Sequence, residues 1–115
     1  MNLKDVKRLL NAEICCGEGK MECDVNGICA SDMMSDVLAS DERNTVLLTG
    51  LVNVQVIRTA EMLDMSCIVF VGSKRPTAQM ISLAEENGMV VMTTPSKMFD
   101  CCGMLYTFLK DESAK

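Results

Sequence analysis

Three apolar runs, opening at Val46, Ile68 and Val90, recur at equal intervals of 22 residues. That interval holds a strand of about five residues, a short loop and a helix of three turns, which is the period of a β/α unit. Val46-Leu47-Leu48 and Ile68-Val69-Phe70-Val71 are apolar at consecutive positions instead of alternating. Such strands have both faces covered, as in a parallel sheet. Between them, Val54 to Asp64 carries an apolar stripe at Val56, Ile57, Ala60 and Leu63, and Thr77 to Asn87 carries one at Met80, Ile81 and Ala84. Both stripes have helical spacing, and Gly88 stands just past the second as a helix stop. The units share little sequence beyond their strand–loop–helix order, so the expectation is an α/β fold with a mainly parallel sheet, not a solenoid. Strands are placed at Thr45 to Thr49, Cys67 to Val71 and Met89 to Thr93. Right-handed crossovers follow.

The flanking segments extend this pattern. Asn2 to Leu10 reads as a helix with Asn2 as cap, Asp5 in the first turn and an apolar stripe of Val6, Leu9 and Leu10. Ala12 to Cys16 is expected as a short buried strand, Gly17 to Lys20 as a turn and Gly27 to Ala30 as a second strand. Met33 to Ala39 is expected as a helix capped by Ser31 or Asp32. Ser96 would cap a last helix, Lys97 to Leu109, leaving residues 111–115 as a polar tail after a single domain of residues 1–110.

Composition excludes more than it proposes. The chain has 115 residues and a formal net charge of −5, so it lacks the basic footprint that a nucleic-acid backbone requires. It has no His, which removes the commonest general base and most zinc and iron sites. The first residues are polar, and no apolar run approaches the roughly 20 residues of a membrane span. A cytoplasmic protein with reduced thiols is expected. The 7 Cys include the adjacent pairs Cys15-Cys16 and Cys101-Cys102 but no C-x-x-C, so core packing is the simplest use of the thiols and no metal ligands are assigned. Gly17-Glu18-Gly19-Lys20 lacks the spacing of a phosphate loop and reads as a turn. The 11 Met suit an irregular core or a dimer seam.

The block Ser31-Asp32-Met33-Met34-Ser35-Asp36-Val37-Leu38, followed by Thr45-Val46-Leu47-Leu48-Thr49-Gly50, resembles the DRTGG domain family. The resemblance continues through Gln55 to Leu63, Ile68 to Gly72 and Val90 to Thr94 into the last helix. The chain departs from the family at the loop that carries its Asp–Arg pair, which here reads Gly50-Leu51-Val52-Asn53. Any role of those charges does not transfer. The resemblance implies a small α/β domain that dimerises and serves as a regulatory segment in larger proteins or alone. For members of this kind it also implies a link to anaerobic redox metabolism through neighbouring iron hydrogenase genes. It implies no defined reaction.

Open α/β sheets bind ligands outside the carboxyl ends of their strands, where helix N-termini favour anions. The residues expected there are Ser31, Asp32, Thr49, Gly50, Asn53, Ser73, Lys74, Arg75, Thr94 and Ser96. Lys74 and Arg75 would supply positive charge for an anionic small molecule. No cofactor and no catalytic residue are assigned. The last helix has two apolar stripes: Phe99, Cys102, Tyr106 and Leu109, and Met98, Cys101, Leu105 and Phe108. One would face the sheet and the other a second subunit, with Met98, Cys101, Leu105 and Phe108 taken as the dimer surface. The leading expectation is a non-enzymatic regulatory or ligand-binding module acting as a homodimer and read by a regulatory partner protein. The alternatives are a thiol or metal redox sensor, and a small enzyme using Asp32, Asp36 and Lys74.

Overall fold

A computed structural model of the chain describes residues 1–114. Five strands form one sheet, in the order β1 (Glu13–Cys16), β5 (Val90–Thr93), β4 (Cys67–Phe70), β3 (Thr45–Thr49) and β2 (Gly27–Ala30). β2 to β5 are parallel to one another, and β1 runs antiparallel along β5. The α/β class with a mainly parallel sheet is as the sequence predicts.

The helices α2 (Met34–Ser40), α3 (Val54–Met62) and α4 (Ala78–Glu86) connect strands that are neighbours both in sequence and in space. Successive right-handed crossovers that all step the same way put their helices on one face. That face buries Val37, Val56, Ile57, Ala60, Met80 and Ala84 against Leu47, Ile68, Phe70 and Val91 of the strands. The opposite face is covered by α1 (Leu3–Leu10) and α5 (Met98–Ala114). There Leu3, Val6, Leu10, Cys101 and Leu105 pack on Val46, Leu48, Cys67, Val69, Val90 and Met92. Every residue of β3, β4 and β5 is buried, as their unbroken apolar runs require.

The 22-residue interval is not the register. Val46 pairs with Cys67, and Cys67 with Val90. Ile68 instead lies in a row with Leu47 and Val91 on the other face of the sheet. The paired residues are 21 and then 23 apart, each step one residue off the interval, and an offset of one exchanges the faces because side chains alternate along a strand.

Asn2 caps α1 through a reciprocal pair of bonds. Its side chain accepts from the Asp5 backbone N–H at 3.0 Å, and the Asp5 carboxylate accepts from the Asn2 N–H at 3.0 Å. β1 differs from the expected buried strand. It lies at a sheet edge, with Glu13 exposed and only Cys16 fully buried. An irregularity between Ile14 and Cys16 leaves Cys15 as an extra, unpaired residue. The turn after it brings Gly17 against Met89 and Val90. At φ +86° Gly17 has no Cβ, and one built there would sit 2.7 Å from the Met89 carbonyl oxygen, so glycine is required.

Two further expectations are corrected. The last helix continues past Leu109 to Ala114, since Lys110-Asp111-Glu112-Ser113 contains no helix breaker, and Glu112 lies 3.2 Å from the amino group of Met1. Lys115 lies outside the described residues. Cys101 and Leu105 are fully buried against the sheet, Met98 is half-buried against the same cluster, and Phe108 lies beneath Arg8 of α1. This stripe is the core-facing one and is not available to a partner. The exposed stripe is the other, with Phe99 at 86% and Tyr106 at 63% exposure. No helix among the described residues is long and apolar enough to cross a membrane.

Candidate functional site

The carboxyl edge of the parallel strands divides into two parts. At the β2–β3 end, Asp32 turns away from the helix it was expected to cap. Its Oδ1 accepts from the Gly50 backbone N–H at 2.7 Å and from the Thr49 hydroxyl at 3.1 Å. The N-cap position of α2 is Met33, whose N–H donates to the Ser31 hydroxyl at 3.0 Å. Asp32 therefore puts the chain's own carboxylate into the donor-rich turn after β3. An external anion would meet that negative charge first. Asn53 caps α3 by accepting from the Gln55 N–H at 2.8 Å, which accounts for it structurally. Asp36 lines a groove outside β2 with Ser31 and Glu42, while the Asp32 Oδ1 is engaged by Gly50 and Thr49.

At the β4–β5–β1 end the backbone itself makes a cradle. Gly72 and Ser73 both have positive φ, +65° and +63°, which turns the chain sharply after β4. The Gly72 N–H donates to the Ser96 carbonyl at 2.8 Å and the Ser73 N–H to the Thr94 carbonyl at 2.9 Å, so the loops after β4 and β5 are tied together. The Thr93 hydroxyl donates to the Lys74 carbonyl and the Thr94 hydroxyl to the Leu10 carbonyl, both at 2.6 Å. A cavity of about 230 Å³ opens here, lined by Asn11, Glu13, Ser73, Arg75, Thr93, Thr94 and Pro95. The chain leaves β4 toward α4 on one face and leaves β5 toward α5 on the other. Adjacent strands whose connections part in this way form the crevice in which open α/β sheets bind ligands.

Arg75 does not stand alone in the cavity. Its guanidinium donates to Glu13 at 2.6 Å, and both side chains are more than half exposed. Of the expected ligand residues, Ser73, Arg75 and Thr94 meet here. Ser96 supports the loop through its backbone, Lys74 is exposed beside it, and Ser31, Asp32, Thr49, Gly50 and Asn53 lie at the other strand ends. Asn11 and Glu13 belong to the cavity although sequence reasoning overlooked them. Asn11, in the left-handed conformation at the end of α1, was legible as a helix stop. Its place at this edge depends on β1 running antiparallel, which no local signal gives. Larger cavities at the opposite edge are lined by Glu61, Asp64 and Glu85, and their Lys20 is bonded to the Gly88 carbonyl, so they suit an anion poorly.

The buried and half-buried thiols are shifted away from activation. Burial pushes Cys15, Cys16, Cys29 and Cys102 above the ordinary thiol range, Cys101 up to about 11, and fully buried Cys67 well upward. Among the described residues no group of His, Cys, Asp and Glu is arranged to hold a metal ion.

A model of the DRTGG domain family matches residues 5–108. The fold is shared with the CBS and DRTGG domains of the regulatory region of Clostridium perfringens pyrophosphatase, solved in complex with the activator diadenosine tetraphosphate. The TM-score is 0.73 at 20% identity, and the match covers 90% of this chain and 45% of that one. The chain thus spans less than half the length of that structure. No curated protein sequence matches it.

Proposed function

The chain belongs to the DRTGG domain family, and from that premise we propose that it is a non-enzymatic regulatory module that binds an anionic metabolite or nucleotide and works as a homodimer. The observation that carries this reading is the cavity between the exits of β4 and β5. It combines one guanidinium, an amide and a free-standing hydroxyl on a backbone locked by paired loops. Asp32 is engaged by Gly50 and Thr49 at the other end of the edge, and Asp36 lines the groove outside β2, which favours binding over catalysis as the reading of this cavity. The fold relative comes from a regulatory region crystallised with a nucleotide activator, which favours a polyphosphate over other anions. At about 230 Å³ the cavity falls below the usual 300–1,000 Å³ of ligand pockets. It would hold one phosphoryl end of such a molecule, with the remainder lying along the edge toward Lys74 or shared with a second subunit.

The dimer surface is proposed as the exposed stripe of α5. Phe99 and Tyr106 stand on either side of Gly103, whose missing side chain leaves open space. Two antiparallel copies crossing at Gly103 would set each Phe99 beside the partner's Tyr106, the self-complementary contact of an isologous interface. On the family resemblance, we place the partner that reads this dimer in anaerobic redox metabolism.

Thermal-shift and calorimetric titrations with ATP, diadenosine tetraphosphate and pyrophosphate test the ligand. A probe at 100 times its dissociation constant should stabilise the fold by about 2.7 kcal/mol, a shift of several degrees. Absence of any stabilisation by all three, in the wild type and in Glu13→Gln alike, would refute the reading.

A further inference from the structure

We propose that Glu13 is an internal competitor for the cavity: its carboxylate holds Arg75 in the empty module and yields the guanidinium to the anionic group of the incoming ligand. The inference rests on the reading of this cavity as the ligand site and adds how its affinity is set.

The argument starts from the donors in the cavity wall. The hydroxyls of Thr93 and Thr94 are spent on backbone carbonyls, so they cannot donate to a ligand without untying the loops. That leaves the Asn11 amide, the Ser73 hydroxyl and the Arg75 guanidinium as side-chain donors. Only Arg75 carries charge, and it is paired with Glu13 at 2.6 Å. A bound phosphate would stand beside that carboxylate unless the pair opened.

The pair is built to open. Glu13 and Arg75 are 66% and 62% exposed, and Glu13 comes from the first residue of an edge strand. Exposed pairs of this kind change an equilibrium constant by only about 1.5- to 5-fold. A phosphoryl group offers more acceptors and more charge than a carboxylate, so exchange favours the ligand. Glu13 thus lowers the affinity of every anion that uses Arg75 by that same factor, and a polyphosphate overcomes it through its larger intrinsic affinity. Cys15 lies close enough to feel both partners, since Arg75 favours its thiolate and Glu13 opposes it. Its alkylation rate therefore reports on the pair without any ligand.

The test uses the full chain with pyrophosphate and ATP as probes. Glu13→Gln should bind both about 2- to 5-fold more tightly than wild type. Arg75→Ala should weaken binding at least tenfold, and adding Glu13→Gln to it should recover nothing, because the competitor acts only through Arg75. In a Cys23→Ser background, Cys15 should alkylate faster in Glu13→Gln and more slowly in Arg75→Ala. Unchanged affinity in Glu13→Gln beside a weakened Arg75→Ala would overturn the competitor while leaving the ligand site standing. Equal gains from Glu13→Gln with and without Arg75 would also overturn it, since they would reflect general charge. Failure of wild type and Glu13→Gln to bind either probe would overturn this inference; failure with diadenosine tetraphosphate as well would overturn the site.

Discussion

Asp32 shows how much a single side chain does at the silent part of the strand-end edge. Its one oxygen satisfies both the Gly50 N–H and the Thr49 hydroxyl, joining the exits of β2 and β3 beside the Ser31 N–H bond to the Leu48 carbonyl. Sequence alone offers Ser31 or Asp32 as the helix cap because residue type and position suit both. The helix has no side-chain cap at all: Ser31 accepts only from the N–H of Met33, its N-cap residue. Removing the carboxylate strands two donors at a partly solvated turn. Asp32→Ala should lower stability by about 1–2 kcal/mol in denaturant titration. It should not weaken binding of pyrophosphate, because the proposed cavity lies at the other end of the edge.

At the scale of elements, α5 was the most ambiguous helix to read, since both its stripes are apolar. Periodicity shows that two faces exist but not which one meets the sheet. The structure decides it through α1, which closes over the Met98–Cys101–Leu105–Phe108 side and leaves Phe99 and Tyr106 in solvent. The two faces should separate by experiment. Leu105→Ala removes fully buried volume and should cost about 2–5 kcal/mol in unfolding free energy. Phe99→Asp should leave that free energy nearly unchanged while reducing the mass measured by light scattering from dimer to monomer. An unchanged mass in Phe99→Asp would remove α5 as the dimer surface. The regular units were easier to read: α3 buries Val56, Ile57 and Ala60, and its C-cap Leu63 completes the expected stripe. β1 was the hardest, because four residues of mixed character carry no sign of their direction, and the cavity is built partly on that direction.

Across the whole molecule, the many thiols are mainly a filling material, and that has a consequence in alkali. Cys101 is held up at about 11 by burial, and Cys67 is raised further by the same cause, against roughly 8.5 for a thiol in the unfolded chain. Both folded values lie above the unfolded one. The stabilising difference is thus complete below about pH 8.5 and is lost as pH rises toward and past 11. Unfolding free energy should fall by up to about 3 kcal/mol per pH unit in that window. The slope should flatten in Cys67→Ala combined with Cys101→Ala, followed by urea titration from pH 7 to 10.5. A slope equal to that of the wild type would assign the alkaline loss to other groups.

The meeting of Met1 with Glu112 gives the architecture a further property. The polypeptide enters and leaves on the same side of the sheet, through two helices packed against each other, so its two ends nearly close a loop. Splicing such a unit between two residues of a host protein would displace them little, and the host would accommodate it as it does a surface excursion. The same closure makes the order of the elements along the chain partly a matter of history: the packing would survive joining the ends and opening the chain at an exposed turn.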